Sequence, residues 1–251
     1  MQSSTVDIKT PDGVADAYLA KPDESGSHAG VLFIMDAIGL RPRIEEMADR
    51  IAAEGYVVLA PNVFYRAGRA PVVPLPDFTD PDARAGFMQS IRPLMEQLTP
   101  DAVARDGAAY LDYLQDAAPG PVAITGYCMG GRIGWRIAAA HPDRVAALAS
   151  FHGGGLVTDA PDSPHRSAAQ ISAEMYFGHA DEDPSMTAEQ IATLERALED
   201  AGAVYTSELY EGAMHGYTMS DTAAYDEAST ERHFTELFRL LGRKLAPSEA
   251  R

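Results

Sequence analysis

Short apolar runs of strand length alternate with segments of helical spacing along most of this 251-residue chain. Residues 30–35 and 56–60 are continuous apolar runs, the pattern of strands covered on both faces. Between them Ile44, Met47, Ala48, Ile51 and Ala52 recur at helical spacing, which stops near Gly55. A helical face carrying Val103, Leu111 and Leu114 follows in residues 101–114, then a strand at 122–125 and a helix at 132–140. Strands at 145–150, 172–177 and 204–209 complete the series, with helices at 188–201 and 223–241. This alternation predicts the α/β class, a mostly parallel sheet with helices on both faces and right-handed crossovers. Residues 6–9 and 15–20, on either side of Pro11-Asp12-Gly13, read as a β-hairpin. Residues 66–99 break the pattern, with five prolines and weak periodicity. They are expected to form an irregular, cap-like insertion near the functional site of one domain spanning 1–251.

The sharpest local signal is Gly126-Tyr127-Cys128-Met129-Gly130-Gly131, set between the strand at 122–125 and the helix at 132–140. Strand, tight glycine-rich turn and helix make the setting of a nucleophile elbow, with Cys128 where related motifs carry serine. The glycines let strand and helix approach closely, and the helix N-terminus favours a negatively charged sulfur. A sulfur nucleophile needs a base within hydrogen-bond reach and an acid to orient it. On such a sheet the chain order is nucleophile, acid, histidine, each at the carboxyl end of a strand. Asp181 follows the strand ending at Phe177, and His215 follows the strand ending near Tyr210. Asp181 is the expected acid because it sits nearer the strand end. Asp183, just before Pro184, is its rival and could instead cap the next helix. Oxyanion donors are expected from the backbone amides of Met129 and Ala37. His152 and Tyr127 are candidate substrate contacts, whereas His28, His141, His165 and His233 are placed on loops or helix surfaces.

Composition narrows the partners. The net charge of −17 argues against nucleic acid or an anionic membrane. A single cysteine excludes an internal disulfide, and residues 1–10 lack the apolar core of a signal peptide, so a cytoplasmic protein is expected. The run His179, Asp181, Asp183 lacks the glycine and distal glutamate of a calcium loop and has no paired histidine, so no metal and no cofactor are expected.

The set Gly-Tyr-Cys-Met-Gly-Gly, Gly-His-Ala-Asp and Ala-Met-His-Gly resembles the dienelactone hydrolase family, cysteine enzymes of the α/β-hydrolase fold. The resemblance runs from about Gly30 to the last helix. It implies a carboxylic ester hydrolase that cleaves a small ester or lactone through a thioester on Cys128, with His215 as base and Asp181 as acid; a monomer or homodimer is expected. That family keeps a glutamate just after the strand at 30–35 that contacts the resting thiol. Asp36, one methylene shorter, is the matching carboxylate here, with helix capping as the competing role. Members acting on dienelactone hold its carboxylate with two arginines, one in the insertion and one soon after the catalytic histidine. Arg84 is the candidate for the first, and Gly216-Tyr217-Thr218-Met219 supplies no second. The alternative is a non-catalytic member using the same thiol for redox sensing or ligand binding.

Overall fold

The computed structural model describes residues 1–23, 26–78 and 80–245, apart from the side chains at 81 and 84. Eight strands form one sheet in the order β1-β2-β4-β3-β5-β6-β7-β8. β1 (Gln2–Thr10) and β2 (Gly13–Lys21) are the expected antiparallel hairpin, and β2 continues antiparallel onto β4 (Val57–Pro61). From β4 onward every neighbour is parallel: β3 (Gly30–Ile34), β5 (Val122–Tyr127), β6 (Val145–Phe151), β7 (Glu174–Ala180) and β8 (Tyr205–Tyr210). β3, β4 and β5 are buried along their whole length, which is why they read as unbroken apolar runs.

Period-two alternation along β5 sorts the layers. Ile124 and Gly126 face α4 (Met129–Ala140), where a Cβ on Gly134 would lie 2.9 Å from Ile124. Tyr127 faces the other way, toward His233 on α6 (Glu227–Leu245). α1 (Pro42–Ala53) lies beside α6, joined by Arg50–Glu231 and by Arg50 stacked over Phe234. α3 (Pro100–Ala117) packs on α4, with Gly107 leaving room for Ile137. Leu194 and Leu198 bury one face of α5 (Ala188–Asp200), started by a Thr187–Gln190 capping box.

Two expectations change. The stretch 66–99 is not irregular throughout, because α2 spans Pro81–Glu96 within it. Its start carries a helix signal that the proline count obscured. Asp80 accepts the amide of Asp82 at 2.9 Å and Pro81 occupies the first helical position. The final helix begins at Glu227 rather than near Ala223, since the Asp226 carboxylate caps the Ser229 amide at 2.7 Å.

Candidate active site

The turn at Cys128 joins β5 directly to α4. Cys128 has φ 53° and ψ −116°, a conformation that costs a non-glycine residue about 1–3 kcal/mol. Three backbone hydrogen bonds hold it there. The Cys128 amide donates to Phe151 O at 3.1 Å, and its carbonyl accepts from Gly131 and Gly154 at 3.1 and 3.2 Å. A Cβ on Gly126 would meet the Gly130 carbonyl, and one on Gly130 would meet the backbone of Ile34 and Met35. Strand, turn and helix can therefore converge only with glycine at those two positions. The Met129 amide stands at the first position of α4, where no intrahelical acceptor exists. Ala37 follows β3 and lines the same pocket as Cys128.

His215 lies on the loop between β8 and α6. Its Nδ1 is 2.6 Å from Asp183 Oδ2, and its ring lines the same pocket as Cys128, close enough for the charge on the sulfur to act on it. With Nδ1 occupied by Asp183, Nε2 is the nitrogen left to face the sulfur. Asp183, not Asp181, is thus the carboxylate on the histidine. β7 runs three residues beyond its expected end, to Ala180, and Glu182 then takes φ 48°. That turn sends Asp183 inward and leaves Asp181 toward the surface. Asp181 fastens the histidine loop instead: its Oδ2 accepts the Gly212 amide at 2.9 Å, and its amide donates to Ala213 O at 2.8 Å.

Ser185 is a member of the constellation that the sequence reading missed. Its amide and hydroxyl donate to Asp183 Oδ1 at 2.8 and 2.7 Å, and the hydroxyl is 3.1 Å from His215 Nδ1. The Asp-Pro-Ser spacing is the only sequence signal for it, an ordinary turn signal. Burial works against ionisation of Asp183, but the His215 and Ser185 hydrogen bonds outweigh it and hold the carboxyl below its usual range. Burial would likewise depress His215. The charge on Cys128 and the Asp183 hydrogen bond reverse that effect and raise it to about 10.

The other candidates separate. His152 reaches the pocket in a left-handed conformation, φ 40°, with its ring 5.4 Å from that of His215. Its Nε2 is hydrogen-bonded to Thr218 Oγ1 at 2.8 Å, and burial pushes it well below 6.5, so it stays neutral. Tyr127 is fully buried on the opposite face of β5 and does not line the pocket. His233 Nδ1 donates to Thr230 O at 2.7 Å, so its Nε2 accepts the Tyr127 hydroxyl at 3.0 Å. His233 is accordingly a core residue, not a surface one. Asp36 lines the pocket but is gripped by Arg41, with Nη1 to Oδ1 at 2.7 Å and Nη2 to Oδ2 at 3.0 Å. The expected thiol contact gives way to this buried ion pair with Arg41, five positions along the chain. The side chain of Arg84 lies outside the described residues. Among the described residues no group of three or more ligating side chains could hold a metal ion, and no helix is long and apolar enough to cross a membrane.

A family model described as the dienelactone hydrolase family matches residues 15–245. A Yersinia pestis protein provisionally named a carboxymethylenebutenolidase is 29% identical over 220 residues, covering 86% of this chain and 78% of the relative. A Rhodococcus opacus carboxymethylenebutenolidase is 27% identical over 243 residues, covering 93% and 91%. The crystal structure of a provisionally named dienelactone hydrolase from Klebsiella pneumoniae superposes with a TM-score of 0.81 at 21% identity, covering 96% of this chain and 98% of that one.

Proposed function

The chain belongs to the dienelactone hydrolase family, and on that premise we propose that it hydrolyses a small ester or lactone through a thioester on Cys128, with His215 as proton carrier and Asp183 as its orienting carboxylate. The observation that carries this reading is the Asp183–His215 hydrogen bond, which sets the imidazole in the same pocket as the sulfur on the strained turn. The Cys128 thiolate attacks the carbonyl carbon, and the oxyanion that forms faces the amides of Met129 and Ala37. The carbonyl reforms as the C–O bond to the leaving group breaks, and protonated His215 gives its proton to that alcohol oxygen. Neutral His215 then takes a proton from water as the water oxygen attacks the thioester carbon. Collapse of this second intermediate breaks the C–S bond, releasing the acid and restoring thiolate and imidazolium. Asp183 and Ser185 keep Nδ1 occupied throughout, so Nε2 is the nitrogen that exchanges protons.

The same chemistry suits a reducing cytoplasm, where a lone thiol persists. The test is hydrolysis of short-chain aryl esters by the wild type and Cys128→Ala, with intact mass after acid quench. The wild type should turn over and carry an acyl increment, and the variant should lose at least roughly 10³ in kcat/KM. Near wild-type turnover by Cys128→Ala refutes the thioester. A wild-type thiol that alkylates without any turnover favours the binding or redox alternative.

A further inference from the structure

The pocket beside Cys128 is small, about 90 Å³, well under the roughly 300–1,000 Å³ usual for ligand sites. Its walls away from the sulfur and the two histidines are chiefly apolar: Ala37, Ile38, Phe78, Met88 and Met219. Phe78 and Met88 come from the stretch before and within α2, so the insertion closes the end of the pocket. Asp36 is the one carboxylate on the wall, and what stands behind it decides the charge.

Arg41 is 1% exposed at its side chain and has five N–H groups, all engaged. Nε and one Nη2 proton go to Asp221 at 2.5 and 3.2 Å, and the other Nη2 proton goes to Asp36 at 3.0 Å. The Nη1 protons go to Asp36 at 2.7 Å and to Gly39 O at 3.0 Å. No donor is left for a substrate anion, and two carboxylates share one guanidinium, a net negative charge. Arg132 lies beside Gly155, outside the pocket wall, where its half-buried charge is felt at the Cys128 sulfur rather than among the lining side chains. Neutral His152 adds no positive charge. Among the described lining residues, then, His215 is the one cation, and Asp183 already holds it.

We infer that this pocket selects a short, uncharged acyl group, so that the substrate is a neutral short-chain ester or lactone and not one bearing a carboxylate. The inference rests on the hydrolase reading, because the pocket counts as an acyl site only if Cys128 is acylated. A second negative charge brought within several ångströms of the Asp36–Arg41–Asp221 cluster meets repulsion, screened less than in bulk water because Asp36 and Arg41 are buried. The expected discrimination is at least about tenfold.

Two measurements test it. The first compares alkylation of Cys128 by iodoacetamide and iodoacetate, in which the thiolate displaces iodide and forms an S–C bond with reagents that differ chiefly in charge. The iodoacetamide preference should exceed that of a free model thiol by about tenfold. A preference within twofold of the model thiol, or reversed, overturns the inference. The second compares kcat/KM for 4-nitrophenyl acetate, butyrate, octanoate and hemisuccinate. Acetate and butyrate should lead the other two by at least about tenfold, with Met88→Ala shifting the preference toward octanoate. Faster hydrolysis of the hemisuccinate or octanoate by the wild type overturns the pocket assignment while leaving the hydrolase intact. Absence of any ester turnover with selective iodoacetamide labelling removes the hydrolase reading while the charge assignment survives.

Discussion

Replacing Asp183 and Asp181 in parallel separates the two carboxylates that lie two residues apart. The Asp183 side chain is 1% exposed and accepts from His215 Nδ1, the Ser185 amide and the Ser185 hydroxyl at 2.6, 2.8 and 2.7 Å. Asp183→Ala leaves three donors without an acceptor, each costing about 1–3 kcal/mol when desolvated. Partial exposure of His215 and rotation of the Ser185 hydroxyl relieve some of this, for a total of about 3–5 kcal/mol. In a chain of this size that lowers Tm by roughly 10 °C. Asp181→Ala removes one acceptor from the Gly212 amide near the surface, costing about 0.5–1.5 kcal/mol.

The kinetic contrast should be larger. Without Asp183 the imidazole loses its orientation and one of the two negative groups that keep it protonated, so kcat/KM should fall by about 10²–10⁴. Asp181→Ala should stay within roughly threefold, since it touches neither ring nor sulfur. The assay is initial-rate hydrolysis of 4-nitrophenyl acetate at a temperature well below both melting points, with circular dichroism confirming the fold. Asp183→Asn, close in shape, keeps the comparison valid if the alanine variant unfolds. Equal or greater loss of kcat/KM in folded Asp181→Ala than in folded Asp183→Asn would refute the assignment.

Two further outcomes are expected. His215 is raised to about 10 from an ordinary 6.5, so its charge contributes stability that is complete below about pH 6.5 and is lost as pH rises through about 10. The urea stability gap between the wild type and His215→Gln should therefore narrow across that window, and a gap that widens with pH contradicts the paired imidazolium. Tyr127→Phe should cost about 1–3 kcal/mol by leaving His233 Nε2 and Thr125 Oγ1 without their buried partner, while kcat/KM on short esters changes less than about threefold. A large change in KM without loss of stability would return Tyr127 to the substrate site.

The layered fold and the turn at its centre are legible in the residue pattern alone. Strand-length apolar runs at β3, β4 and β5 leave both faces to be covered, and the helical spacing of α1, α3, α5 and α6 supplies the cover. Gly126, Gly130 and Cys128 encode the turn locally, because a close strand–helix crossing demands residues without Cβ at fixed offsets from the sulfur. His215 was legible in the same way, as a loop residue just past a strand. The partner of each polar side chain, by contrast, emerges only once the elements pack. Asp181 and Asp183 differ by a left-handed turn at Glu182 that residue type does not announce. Tyr127 points away from the pocket because period-two alternation puts it on the α6 face of β5, where His233 waits 106 positions later in the chain. Asp36 is claimed by Arg41, which Asp221 holds from 180 positions away. Local spacing sets backbone geometry through sterics acting over a few residues, whereas hydrogen-bond and ion-pair partners are chosen by which distant segments the packed sheet brings within 3 Å.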